Sequence, residues 1–264
     1  MKNIFLFLLL FVALCTGFVA CQSNQPQSET VQDSLMALNS SDSSILMYAE
    51  GIEKLKASLE FKKSPFYTQG DDIYNATIYQ KDSIPVLYVA YRQSKDNTFD
   101  EKSYYIENGS LVLYHERSKQ ISSQEKSSFD FKEDRIFFRN DIFLKADQRF
   151  AKTEELLNTA PFVLLDEYLV TKDKQADLKQ INDAAYEIGD FNLVFDRIET
   201  PSPNLKYLVM ANKNANTYES FYQINDVDSV ILNMETNPEM FKGKKLKIDY
   251  IKRGKKMIFK GLIP

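Results

Sequence analysis

The feature that most constrains the fold is the run Tyr104-Tyr-Ile-Glu-Asn-Gly-Ser-Leu-Val-Leu-Tyr114. β-forming residues flank Asn108-Gly109, a dipeptide that suits a type I′ turn because both central residues need positive φ. A two-residue loop there places Ile106 opposite Leu111 and Tyr104 opposite Leu113, and the same register sets His115 opposite Lys102. Short β-rich runs between turn signals extend the pattern from Phe66 to Phe143. Ile73–Gln80 alternates in polarity, and Val86–Tyr91 is apolar on both faces, as a central strand would be. Phe129-Asp-Phe131 and Ile136-Phe-Phe138 read as a hairpin about a charged turn at Lys132-Glu-Asp134. An antiparallel meander is the expectation.

Before it, Ile45, Tyr48, Ile52, Leu55 and Leu59 recur at helical spacing, with Glu50, Glu53, Lys54 and Lys56 largely off that stripe. The spacing predicts an amphipathic helix that Asp42 or Ser43 caps by accepting from free backbone N–H groups. After it, Ala151 to about Leu169 reads as helical, with Leu156, Leu157, Val163, Leu164, Tyr168 and Leu169 on one face and an interruption at Pro161. The polar stretch Thr171–Gln180 marks a domain boundary. Six short runs follow as strands: Asn192–Glu199, Leu205–Met210, Tyr218–Ile224, Val230–Met234, Leu246–Ile251 and Met257–Leu262. Strands of this number and length suit a small closed sheet, which leaves no exposed edge.

Gly189-Asp-Phe191 and Lys242-Gly-Lys-Lys-Leu-Lys-Ile248 resemble the OB-like small barrels of Gram-negative envelope lipoproteins. The expected fold is therefore α+β. An N-terminal amphipathic helix with an antiparallel β-meander (residues 45–170) leads through a helical linker to a C-terminal small OB-like β-barrel (184–264).

The first residues carry a second resemblance. Lys2 precedes an apolar run from Ile4 to Leu14, and Phe18-Val19-Ala20 leads to Cys21. The run is shorter than the roughly 20 apolar residues of a spanning helix, and its flanks fit a secretory signal. An ordinary cleaved signal peptide, or an uncleaved anchor, would also account for the run. The cationic start, apolar stretch and small residues before Cys21 resemble the lipobox of bacterial lipoproteins cleaved by signal peptidase II. Cys15 follows bulky Leu14, where a small residue is wanted. The resemblance implies a diacylglyceryl thioether on Cys21, cleavage before it and acylation of the new amine with a chain such as palmitate. Each buried methylene contributes roughly 0.8 kcal/mol, so several acyl chains anchor the protein durably. Gln22 rather than Asp in the next position resembles lipoproteins sent on to the outer membrane. Residues 1–20 are then the signal peptide. Residues 21–44, rich in Gln, Ser, Asn and Asp, form a flexible tether that cannot bury enough surface to offset its ordering entropy.

Charge and residue types narrow the chemistry. The chain has 33 basic and 37 acidic side chains, and Lys2 is the sole charge before Cys21, so the mature chain carries a net −5. That balance, with export, gives no reason to expect a nucleic-acid partner. With Cys21 lipidated, the mature chain holds no free thiol for catalysis or for binding metal. His115 is the sole histidine, and the cation expected beside it gives it no orienting carboxylate. No Gly-x-Ser-x-Gly elbow, Ser-x-x-Lys, His-Glu-x-x-His or phosphate-cradling glycine loop occurs. Asp71-Asp72, Asp166-Glu167 and Asp226/Asp228 offer carboxylate pairs for hydrolysis, although solvated turns explain them better. Tyr74, Tyr79, Tyr88, Tyr91, Tyr104, Tyr105 and Tyr114 all fall on expected strands, where β-propensity accounts for them. Neither a cofactor nor a metal ion is expected.

The C-terminal segment is the one asymmetric charge feature, with nine cations from Lys242 to Lys260 facing only Asp249. Lysines guard strand edges. They can also meet anionic headgroups or glycans at roughly 1 kcal/mol per well-placed cation. Lys244, Lys245, Lys247, Lys252, Arg253, Lys255 and Lys256 are the candidate anionic-ligand contacts. The expectation is a lipid-anchored envelope lipoprotein that works without catalysis, by binding or scaffolding. Its partners would be the membrane, through the anchor, and another envelope protein or an anionic glycan or lipid. A carboxylate-based hydrolase and a module binding glycan, lipid or peptide are the alternatives. The first place to look for a cleft is between meander and barrel.

Overall fold

The computed structural model describes residues 31–123, 125, 128–140, 142–165, 174–212 and 218–263. Cys21, the expected signal peptide and Asp166-Glu167 lie outside the described residues. The contacts divide the chain after Ser44, and the unit from Ile45 onward holds all the strands.

Among the described residues the α-helices are α1 (Val31–Leu55), α2 (Glu154–Thr159), α3 (Lys174–Tyr186) and α4 (Ser229–Thr236). The strands are β1 (Glu60–Lys63), β2 (Tyr67–Gln69), β3 (Asp72–Lys81), β4 (Ile84–Gln93), β5 (Phe99–Glu107), β6 (Ser110–Ile121), β7 (Phe129–Arg139), β8 (Ile142–Ala151), β9 (Val163–Leu165), β10 (Val194–Ser202), β11 (Leu205–Ala211), β12 (Glu219–Ile224), β13 (Ile248–Arg253) and β14 (Lys256–Leu262). They join in one sheet of order β10-β11-β12-β2-β3-β4-β5-β6-β7-β8-β9, with β1 added to β3 and the β13–β14 hairpin added to β12.

The architecture is mostly β, which corrects the expected α+β fold. Among the described residues no separate OB-like barrel forms. β14 runs parallel to β12 through Tyr222↔Met257 and Gln223↔Ile258, and β12 continues the meander through Glu219↔Thr68. The parallel pair makes the sheet mixed, and one ladder spans the expected domain boundary. The helical linker is corrected too. Thr153 caps the short α2 by accepting from Leu156 N–H, and after Pro161 the chain returns to the sheet as β9 beside β8. The polar stretch from Lys174 is the start of α3, which buries Ile181, Ala184 and Ala185 in the main core.

The meander starts from the turn that the sequence predicts. Asn108 and Gly109 take φ of 51° and 83°, as a type I′ turn requires. A bulge between Tyr105 and Ile106 then shifts the register by one residue. Tyr105, rather than Tyr104, faces Leu113, and His115 sits opposite Ser103 instead of Lys102. The shift sorts the two faces. Leu87, Tyr105, Leu113 and Phe137 form one row across β4–β7. Ile45, Ala49 and Ile52 of α1 pack on that row. Tyr104, Tyr114, Ile136 and Ala146 form a row on the opposite face, in the main core. Residues i, i+4 and i+7 of α1 are thus the buried ones, as an amphipathic helix demands. α1 runs through Asp42 and Ser43, so neither caps its start.

Two further expectations are overturned. Lys132-Glu-Asp134 is no turn, because β7 is continuous from Phe129 to Arg139 and those residues pair with Arg149, Gln148 and their neighbours on β8. Val230–Met234 is helical. Asp228 accepts from Ile231 N–H at 2.8 Å and caps α4. Ile231 and Met234, three apart on one face, are fully buried.

Candidate functional site

The site grows from the junction at Ser64-Pro65-Phe66, where the chain passes from β1 to β2. Each backbone group there finds a partner, as buried groups must. Ser64 N–H donates to Ala76 O at 2.9 Å, and Ser64 Oγ accepts from Ala76 N–H. Lys252 Nζ donates to Ser64 O at 2.7 Å. Ser64 Oγ donates to Pro65 O, and Ser220 Oγ donates to Phe66 O at 2.9 Å. Phe66 N–H points at Met257 Sδ, 3.2 Å away. Proline suits the one position that lacks an N–H to satisfy.

A cleft of about 190 Å³ opens beside this junction. Its apolar lining includes Pro65, Phe191, Leu193, Met210, Leu246 and Ile248. Three phenols, Tyr67, Tyr222 and Tyr250, line it as well, together with Glu187, Lys245 and Lys247. One wall is the 241–247 segment. It is fixed by Gly243 N–H donating to Phe195 O, by Phe195 N–H donating to Lys244 O, and by Ile263 N–H donating to Lys247 O. Tyr222 and Tyr250 meet edge-on with centroids 5.3 Å apart, and Tyr67 donates its hydroxyl to Ala184 O.

Glu187 is the unusual residue of the site. Ile188 N–H donates to Asp183 O and Glu187 N–H donates to Ala184 O. That pair of bonds is the Schellman termination of α3. The residue after the helix must then be left-handed, and Glu187 holds φ of 55° where glycine is usual. A side chain in that conformation costs roughly 1–2 kcal/mol. The carboxylate lies within electrostatic reach of the phenols. Burial first, and Glu187 second, push up the ionisation of Tyr67 and bring Tyr250 to about 12. Burial, Tyr250 and then Glu187 raise Tyr222. Among the described residues the Glu187 carboxylate and the Lys247 amine have no hydrogen-bond or ion-pair partner, whereas Lys245 Nζ donates to Glu187 O at 3.1 Å.

The seven candidate cations therefore separate. Lys245 and Lys247 line the mouth of the cleft and Lys244 flanks it, all three exposed. Arg253, Lys255 and Lys256 are exposed at the far tip of the β13–β14 hairpin, with Arg253 opposite Lys256. Lys252 belongs to the junction. Its Nζ lies 4.4 Å from the centroid of the Phe66 ring. Burial, with Lys63 nearby, brings the amine down to about 8.

Asp71, Asp72 and Asp228 are engaged elsewhere, and exposed Asp226 does not line the cleft. Asp72 accepts from Ser94 and lies 3.9 Å from Arg92, Asp71 pairs with Lys95, and Asp228 caps α4. His115 belongs to a checkered ladder in which Arg117, Glu133 and Arg149 form one row and His115, Arg135 and Asp147 the next. Glu133 lies 2.8 Å from His115 Nε2 and accepts two bonds from Arg149. Arg135 makes a two-point pair with Asp147. Phe162 covers the ladder, with the guanidinium carbons of Arg135 and Arg149 at 3.4 and 4.5 Å from its centroid. Burial opposes ionisation of Glu133, and the bonds from His115 and Arg149 overcome it, bringing the carboxyl to about 2. A carboxylate held so firmly by donors is a poor base.

Among the described residues no group of three or more His, Cys, Asp or Glu side chains is placed to hold a metal ion. No helix among them is long and apolar enough to cross a membrane. Sequence reasoning missed Glu187. The signal was the absence of glycine directly after a helix that ends at Tyr186. Comparison of the chain with protein-family models, curated proteins and solved structures finds no match.

Proposed function

We propose that this chain is a lipid-anchored envelope lipoprotein of the outer membrane that acts by binding rather than by catalysis, with the cleft beside the Ser64–Phe66 junction as its ligand site. The lipobox-like residues before Cys21 support the address. One observation carries the binding role. The fold brings two of the C-terminal lysines, Lys245 and Lys247, together with three phenols and an apolar floor in one concave site. Pockets of this make-up, apolar with a few convergent polar groups, are where small ligands bind.

Two experiments test the reading. Metabolic labelling with palmitate marks the native protein and fails to mark Cys21→Ala; equal labelling of both, or of neither, removes the anchor. For the cleft, the full chain in lipid nanodiscs is melted against fatty acids, glycan fragments, peptides and amino acids. At least one class raises Tm of the wild type and leaves that of Tyr250→Ala unmoved. A panel in which no class shifts the wild type, or in which the variant shifts equally, contradicts the cleft as the site.

A further inference from the structure

We propose that the ligand of the cleft is a small apolar zwitterion, an α-amino acid with a branched hydrocarbon side chain, whose ammonium meets Glu187 and whose carboxylate meets Lys247. The inference rests on the reading of the cleft as the binding site and goes on to name what fills it.

Three observations converge on that chemistry. The first is size. A cleft of about 190 Å³ exceeds many times over the roughly 10–15 Å³ of such space that one water needs. One branched amino acid enters such a space whole. The second is the floor, where Phe191, Leu193, Met210, Leu246 and Ile248 offer only hydrocarbon and sulfur. The third is charge. Glu187 and Lys247 line the same cleft with opposite signs, and among the described residues neither has a side-chain partner. A simple acid would leave Glu187 facing an anion, and a simple amine would leave Lys247 facing a cation. A zwitterion answers both. Phenol rings beside Glu187 favour an ammonium further, because a ring face attracts a cation.

The backbone points the same way. Glu187 stands at a left-handed helix terminus where glycine would relieve strain. Strain kept at one residue of a concave site is a recognised mark of a functional position. Lys245 donates through Nζ to Glu187 O and steadies that turn, while Lys247 lines the cleft with no partner among the described residues.

The test is calorimetric titration of the full chain in nanodiscs with L-leucine, with 4-methylpentanoate, which lacks the ammonium, and with leucinamide, which lacks the carboxylate anion. Leucine binds, and each analogue binds at least roughly tenfold more weakly, since one charged hydrogen bond is lost. Glu187→Gln weakens leucine by a similar factor and leaves 4-methylpentanoate unchanged. Lys247→Met weakens leucine and leaves leucinamide unchanged. That crossed pattern cannot come from a variant that merely unfolds. An analogue that binds as tightly as leucine overturns the zwitterion. Absence of leucine binding overturns it as well. In that case the melting panel separates the two ideas: a shift by another compound, lost in Tyr250→Ala, keeps the cleft as a site, and a silent panel removes both.

Discussion

The β6–β8 ladder and the mouth of the cleft hold the same kinds of side chain and use them in opposite ways. In the ladder, Glu133 and Asp147 are buried and each is held by an arginine in register on the neighbouring strand. At the cleft, Glu187 and Lys247 share a concave wall and neither has a partner among the described residues. Charges that neutralise each other within the sheet act on stability. Charges that face a cavity with nothing opposite them are available to a ligand. The difference lies in register, because the ladder's partners were placed by strand pairing and the cleft's by a helix terminus and an irregular segment.

The largest effect is expected from breaking the ladder. Glu133→Ala strands Arg149 beneath Phe162 and leaves His115 without its carboxylate, and loss of one member of a buried pair costs about 3–5 kcal/mol. Urea unfolding should show it as a lower midpoint at an unchanged slope. Acid probes the same group. The Glu133 carboxyl titrates at about 2 in the folded chain, against 4.5 as its ordinary value. Its contribution is fully present above that ordinary value and is lost as pH falls toward 2, on the order of 3 kcal/mol. Glu133→Gln should flatten the acid limb of the stability–pH curve.

Lys252 sharpens the comparison from the other side, as a C-terminal cation that has become structural. Lys252→Met leaves Ser64 O buried without a donor, a loss of about 1–3 kcal/mol. Its amine titrates at about 8 in the folded chain, below the ordinary 10.5. The unfolded chain therefore binds the extra proton between those values, and stability rises with pH across that window. The methionine variant should lose that rise.

A smaller effect has the opposite sign. Glu187→Gly relieves the left-handed strain after α3 and should raise stability by roughly 1 kcal/mol, while leucine binding falls. A variant that is both less stable and unaltered in binding would place Glu187 among the structural charges.

Local signals in the sequence were legible where neighbours alone decide the structure. The Asn108-Gly109 turn and the burial of Ile45 and Ile52 on α1 are set by backbone preference and by helical period, whereas Leu55, expected on the same stripe, is exposed and Leu59 lies beyond the helix. Register was less legible, because the Tyr105/Ile106 bulge shifts the pairing by one residue just beyond a turn that does not encode it. Lys132-Glu-Asp134 looked like a solvated turn because its partners, Arg149 among them, stand on β8. Val230–Met234 is a short apolar run whose period cannot tell strand from buried helix, though Asp228 already carried the capping signal. The barrel was misjudged for a non-local reason. The β12–β14 and β12–β2 pairings join residues 35 to about 150 positions apart, and no local pattern specifies them.

The most direct test measures stability and binding side by side on two variants of the full chain. Glu133→Gln should lower the urea midpoint and leave the leucine affinity unchanged, whereas Lys247→Ala should hold the midpoint to within about 0.5 kcal/mol and weaken leucine at least roughly tenfold. Loss of stability without loss of affinity in Lys247→Ala, or loss of affinity in Glu133→Gln, would contradict the division between charges that hold the sheet and charges that await a ligand.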